Sequence, residues 1–172
     1  MDEAPALIRP EELADREAVR RVNELAFGRP NEADLVDAVR SSAPHISLVA
    51  VVNAEIAGHI LFSPVEILDD PSSARCAGLG PMAVLPSQQN RGIGSDLVRM
   101  VLEACRARGY QAVVVLGHPR YYPRFGFVPA SDHGLSCEWD VPNDVFLVLE
   151  LTPGTLGKLG GLVRYLPAFA AV

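Results

Sequence analysis

Val84-Leu85-Pro86-Ser87-Gln88-Gln89-Asn90-Arg91-Gly92-Ile93-Gly94-Ser95 is the stretch on which the reading of this chain turns. A strand ends, a turn follows, and a long helix opens on two glycines. From Gly92 to Arg108 the apolar positions Ile93, Leu97, Met100, Val101, Ala104 and Cys105 form one helical stripe, and Gly109 supplies the usual C-terminal stop. A helix start of this kind offers N–H groups and a partial positive charge to an anion. Glycines let a phosphate approach the backbone with no Cβ in the way, and Arg91 adds a side-chain charge. Other phosphate loops fit worse. The Walker pattern needs a lysine before Ser95, where Gly94 stands. The dinucleotide fingerprint needs a third glycine where Leu97 stands. On these residues alone, a phosphate loop and a glycine-started helix with no ligand both stay open.

Upstream, Arg75 to Leu85 reads as a strand distorted by Gly78, Gly80 and Pro81. Before it, β-branched Ile46 to Val52 forms a strand, Asn53-Ala54-Glu55 a hairpin turn, and Ile56 to Ile67 a longer strand bent at Pro64. Asp69 to Ser73 is turn chemistry. At the start, Leu7-Ile8-Arg9 is a short strand closed by Pro10. Asp15 is placed to cap a helix reaching Phe27, with Ala18, Val19, Val22, Leu25 and Ala26 inward. A second helix covers Ala33 to Arg40.

Downstream, Ala112 to Leu116 suits a strand buried on both faces. A short helix is expected over Tyr121 to Phe125 and a last strand over Val145 to Leu151, followed by a Gly-rich tail. The order β-α-α-β-β-β-α-β-α-β implies an α/β (α+β) fold with a mixed sheet and helices on both faces.

At 172 residues the chain suits one domain, expected over residues 1–151, with 152–172 as an extension packed on it. Net charge is -6, which argues against nucleic-acid binding and tolerates a cationic substrate. Three cysteines (Cys76, Cys105, Cys137) form no CxxC pair and read as buried or half-buried thiols. His45, His59 and His133 have no partner at metal-ligand spacing, so no metal is expected. Met1 to Pro10 shows neither a signal peptide nor a membrane span, so the expected location is cytoplasmic.

Gln89-Asn90-Arg91-Gly92-Ile93-Gly94 matches the Gln/Arg-x-x-Gly-x-Gly/Ala signature of the GNAT family of N-acetyltransferases. Pro81 to Pro86 resembles that family's splayed fourth strand. Tyr122-Pro123-Arg124-Phe125-Gly126-Phe127 is similar to its Tyr-x-x-x-Gly-Phe segment. The phrase from Val113 through Gly126, with Gly117-His118-Pro119, resembles the YhbS-like bacterial subgroup. The resemblance runs from Leu7 to Leu151 and implies a mostly antiparallel central sheet.

It also implies a chemistry. Acetyl-CoA would be the cosubstrate, bound by the loop that starts at Gln89, with its pyrophosphate held by the backbone amides of Asn90, Arg91, Gly92, Ile93, Gly94 and Ser95. Met82, Ala83 and Val84 would pair by main chain with the pantetheine arm, and an N–H near Met82 would stabilise the oxyanion. Tyr122 is the candidate proton donor to the departing thiolate. Its alternative is packing beside Phe125 and Phe127. For the general base, Glu66 and a water relay both stay open, and His118 is either a proton shuttle or a structural histidine.

Two functions of different class follow: an N-acetyltransferase acting on a primary amine of a small molecule or peptide, or a non-catalytic acyl-CoA-binding module. A nucleotide-phosphate-binding protein is a third. Residues Ser131 to Asp144, with Glu138, Trp139 and Asp140, are expected to border the acceptor pocket, as carboxylates beside an indole suit a cation. The tail after Thr152 either covers the acceptor cleft or joins a homodimer.

Overall fold

The computed structural model describes residues 5–172, so the part of the N-terminal reading that falls on Met1 to Ala4 lies outside the described residues. The chain divides into two compact units. The first runs up to Phe62 and includes Pro81–Leu102 and Ala168–Val172; the second is Ser63–Gly80 with Glu103–Pro167.

The first unit contains β1 (Leu7–Pro10), α1 (Arg16–Phe27), α2 (Asn31–Ser42), β2 (Ile46–Val52) and the start of β3 (Glu55–Leu68). β1 runs antiparallel to β2, pairing Leu7 with Val51 through Pro10 with Leu48. β2 and β3 form a hairpin whose two turn residues, Asn53 and Ala54, both have positive φ (49° and 66°), which matches the twist of the flanking strands. The ladder slips once. Ala50 pairs with Gly58 but Val51 pairs with Ile56, so Ala57 is the extra residue of a β-bulge. Pro64 lies beyond this ladder, which ends at Ile46 and Phe62, so its missing N–H costs no β2–β3 hydrogen bond.

Two expectations for α1 change. Asp15 makes no side-chain cap; its carboxylate is taken by Arg9 (2.6 Å) and by the N–H of Glu12 (2.7 Å). Leu25 is 49% exposed, and the buried face is Val19, Val22 and Asn23. An asparagine can face inward because its amide nitrogen is satisfied there, donating to the Val19 carbonyl at 3.0 Å and lying 3.1 Å from His59 Nδ1.

The second unit holds β5 (Ala112–Leu116), β6 (Val128–Pro129), β7 (Leu135–Cys137), β8 (Phe146–Glu150) and β9 (Gly161–Arg164), with the first residues of β4 (Cys76–Val84). β4 and β5 are parallel, Cys76 to Leu79 against Ala112 to Val115. β8 lies antiparallel to β5 along its whole length and carries β6 on its other side. β5 and β8 supply fully buried Val113, Val114 and Val148, the continuous apolar texture expected of central strands. β9 is antiparallel to Glu66–Leu68 of β3 and parallel to β7. Antiparallel pairs dominate, so the fold is mixed α/β with a mostly antiparallel sheet and helices.

The expected element order holds through β5. After it, the short helix is a 3-10 turn, Tyr122–Phe125, and β6, β7 and β9 appear where one final strand was expected. These strands are two to four residues long, too short for an alternation to show. The Gly-rich tail contains β9 for a steric reason: at Gly161 (φ 124°) a Cβ would fall 2.0 Å from the Leu68 carbonyl oxygen. Only glycine lets that strand meet β3.

Candidate active site

α3 (Ile93–Ala107) begins where the glycine turn ends. Pro86–Gln88 form one 3-10 turn, and the Gln89 amide donates back to the Val84 carbonyl at 3.1 Å. Asn90 (φ 62°) and Gly92 (φ 84°) are both left-handed, which turns the chain into the helix. The first bond of the helical ladder runs from the Asp96 N–H to the Gly92 carbonyl at 3.0 Å. The amides of Ile93 and Gly94 precede it, and such groups have no acceptor inside their own helix. A Cβ built on Gly92 meets nothing within 4 Å, so the turn opens onto free space. The exposed Arg91 guanidinium lies beside it, 3.4 Å from Gln88 Oε1. Uncrowded left-handed glycine, leading helix amides and a cation are what an anionic pyrophosphate requires.

The turn is held from below. Leu85 donates its N–H to the carbonyl of Ala57, the bulge residue, at 2.8 Å. Beside Ala57, Gly58 lets the first turn of α3 lie close on β3: a Cβ there would fall 3.0 Å from Leu97 Cδ1 and 3.1 Å from Ile93 Cγ2. Ile93 and Leu97 are buried. Reading the sequence missed both roles, since a bulge leaves no mark on an apolar run and Gly58 looks like any weak strand residue.

In the strand that feeds the turn, Ala83 is buried while Met82 and Val84 are half-buried, the alternation of a strand. The ladder with β5 ends at Leu79 and Val115, and the next residue, Gly80, takes a φ of 145°. β4 continues to Val84 beyond its last pair with β5.

In the second unit, Tyr122 is buried, 7% exposed. Its ring stands edge-on to Tyr121 (5.1 Å between centroids) and Phe127 (5.6 Å). Burial, with the neighbouring Tyr121 second, pushes the phenol well above its ordinary range. A Cβ on Gly117 would lie 2.1 Å from Tyr122 Cε2, so the glycine after β5 makes room for this ring. Reading the sequence noted Gly117 but gave it no role.

His118 is exposed, with Nδ1 accepting the Arg120 N–H at 3.2 Å and its carbonyl 3.4 Å from the Tyr122 N–H. Glu66 is exposed on β3, in register with Arg164 of β9. The structure thus places Tyr122, His118 and Glu66 on three elements of the second unit, with His118 joined to Tyr122 by backbone. The cysteines fit the core reading: burial pushes Cys76 and Cys105 up to about 12, and Cys137 is half-buried. His59 is fully buried and His45 half-buried against the Ala43 carbonyl. Among the described residues, no helix is long and apolar enough to cross a membrane.

Known proteins resemble this chain in sequence and fold. The acetyltransferase (GNAT) family profile matches residues 13–127. The uncharacterized N-acetyltransferase YjhQ of Escherichia coli K12 is 38% identical over 135 residues, 76% of this chain and 75% of its own length. The crystal structure of the GNAT family N-acetyltransferase YhbS from Escherichia coli in complex with CoA is 33% identical. It superposes with a TM-score of 0.91 over 99% of this chain and 95% of its own. A GNAT family acetyltransferase from Brucella melitensis in complex with acetyl-CoA is 35% identical, with a TM-score of 0.78 over 95% of this chain and 97% of its own. The chain therefore belongs to the acetyltransferase (GNAT) family, and with that membership it is an acyltransferase whose cosubstrate is acetyl-CoA.

Proposed function

We propose that this protein transfers the acetyl group of acetyl-CoA to a primary amine of a small molecule or peptide. The observation that carries this reading is the open left-handed turn at Asn90 and Gly92 leading into α3. Two relatives that match nearly the whole chain were crystallised with CoA and acetyl-CoA, which supports the same ligand here.

Acetyl-CoA brings an activated acyl carbon and a thiol leaving group. The rest falls to the protein. The amides from Asn90 to Ser95 hold the pyrophosphate, with Arg91 adding charge. Main-chain groups of Met82, Ala83 and Val84 fix the pantetheine arm, and the N–H near Met82 stabilises charge on the thioester oxygen. Tyr122 holds the proton for the thiolate. Burial keeps its phenol protonated, the form a donor needs. Glu66 is the carboxylate assigned to the amine's proton, with His118 as a shuttle through solvent.

The test is release of free CoA thiol from acetyl-CoA across a panel of amines. Amine-dependent release supports the reading. Tight CoA binding with no release across the panel would overturn it in favour of a non-catalytic acyl-CoA-binding module.

A further inference from the structure

A cavity of about 210 Å³ in the second unit is not used by these assignments. The residues that line it include Trp139, Phe146, Asp140, Asn143 and Ser131. The indole is fixed from behind. Its ring lies 5.2 Å from that of Tyr165, with 32° between the planes. Tyr165 is buried; its N–H donates to Glu138 Oε1 at 2.7 Å and its ring rests on Gly78, where a Cβ would fall 2.8 Å from Cε1. Glu138 is thus engaged by the backbone, and Asp140 is the acidic residue among those lining the cavity. Residues 131–144 carry Asp132, Glu138, Asp140 and Asp144 and no lysine or arginine, so the segment that supplies most of the lining is acidic.

We infer that this cavity receives the ammonium head-group of a small organic cation. A rigid aromatic face and a carboxylate are complementary to an alkylammonium and disfavour an anion. The volume lies below the roughly 300–1,000 Å³ typical of pockets for drug-sized ligands, so it suits one head-group. The inference rests on the acetyl-transfer reading in one respect. A carboxylate stabilises the charged form of an amine, whereas attack on a thioester needs the neutral form. The nitrogen held here is therefore not the one acetylated. The acceptor class that follows is an amine with a second cationic group, such as an aliphatic diamine.

Trp139 is the chain's single tryptophan, so its emission reports on this cavity directly. Tetramethylammonium chloride is titrated at constant ionic strength, with tert-butanol as the neutral match. A saturable change with the cation alone is expected, its midpoint raised about tenfold or more by Asp140→Asn. An equal response to tert-butanol, or an unchanged midpoint in Asp140→Asn, overturns the pocket. Thiol release is then compared for 1,4-diaminobutane and butylamine. A kcat/KM preference for the diamine that disappears in Asp140→Asn supports the acceptor class. Cation binding with equal use of both amines overturns that class. Cation binding with no thiol release from either amine counts against acetyl transfer and leaves the pocket standing.

Discussion

The Tyr122 ring fills the space in which a side chain on Gly117 would begin: a Cβ there would sit 2.1 Å from Cε2 and 2.4 Å from Cδ2 of the tyrosine. Both atoms belong to a ring clamped between Tyr121 and Phe127, so it cannot rotate away at little cost. Gly117→Ala should push the phenol off its position. A displacement of about 1 Å at a reacting group costs on the order of 100-fold in rate. The expected outcome is a kcat lower by about 10- to 100-fold with an unchanged Kd for CoA by calorimetry. Wild-type turnover in Gly117→Ala would separate Tyr122 from the reaction.

Tyr122→Phe keeps the ring and its packing and removes only the hydroxyl, and with it the proton to be donated. General-acid catalysis contributes typically 100- to 10,000-fold, so kcat should fall by about 100-fold or more while CoA affinity and thermal stability stay near wild type. Turnover equal to wild type would remove Tyr122 from the mechanism.

At Gly92 two effects can be told apart. The residue has φ 84°, which a branched side chain adopts only at a cost of roughly 1–2 kcal/mol. Nothing of the protein lies within 4 Å of an added Cβ, so that strain is the whole expected loss of stability in Gly92→Val. A pyrophosphate seated on the turn would meet the new methyl groups. CoA titration should show affinity reduced by about tenfold or more, while Gly92→Ala loses less. Unchanged CoA affinity in Gly92→Val would place the phosphates elsewhere.

The parts legible in the sequence are those with a local signature. The α3 stripe announces its own period at Ile93, Leu97, Val101 and Cys105, all buried, although Met100, expected in the same stripe, is 47% exposed; the run Ala112 to Leu116 announces its own burial. The β-branched hairpin from Ile46 also comes through. What stays hidden depends on partners far along the chain. Gly161 is a strand residue only because Leu68 crosses it, and Gly117 is glycine only because Tyr122 folds back on it. Ala57 becomes a bulge residue through its pairing with β2 and its bond to Leu85. Asn23 and His59 face inward because the Asn23 amide nitrogen meets His59 Nδ1. Sequence periodicity records an element's own face, and none of these contacts lies within one element.

His59 should make the fold sensitive to acid. It is fully buried. The Asn23 amide nitrogen bonds the Val19 carbonyl and points a second hydrogen at His59 Nδ1, so Nδ1 accepts. Nε2 then carries the proton and donates to Ser47 Oγ at 2.9 Å, and the Ser47 hydroxyl donates to the Glu11 carboxylate, itself paired with Arg40. A second proton on Nδ1 would face a donor, in a desolvated site near the Arg40 charge. Burial first, and Arg40 second, lower the imidazole from 6.5 to about 3. The unfolded chain therefore binds one more proton than the folded one between those values. The stability due to neutral His59 is complete above pH 6.5 and drains away as pH falls toward 3, at about 1.4 kcal/mol per pH unit. His59→Asn removes this titration and leaves the other groups common to both proteins. In urea unfolding at pH 7, 6, 5 and 4, the variant should be less stable at pH 7, and the gap should shrink by about 0.7 kcal/mol from pH 7 to 6 and by about 1.4 kcal/mol with each further unit of acidification. A gap constant across this range would mean that His59 is not held neutral by the fold.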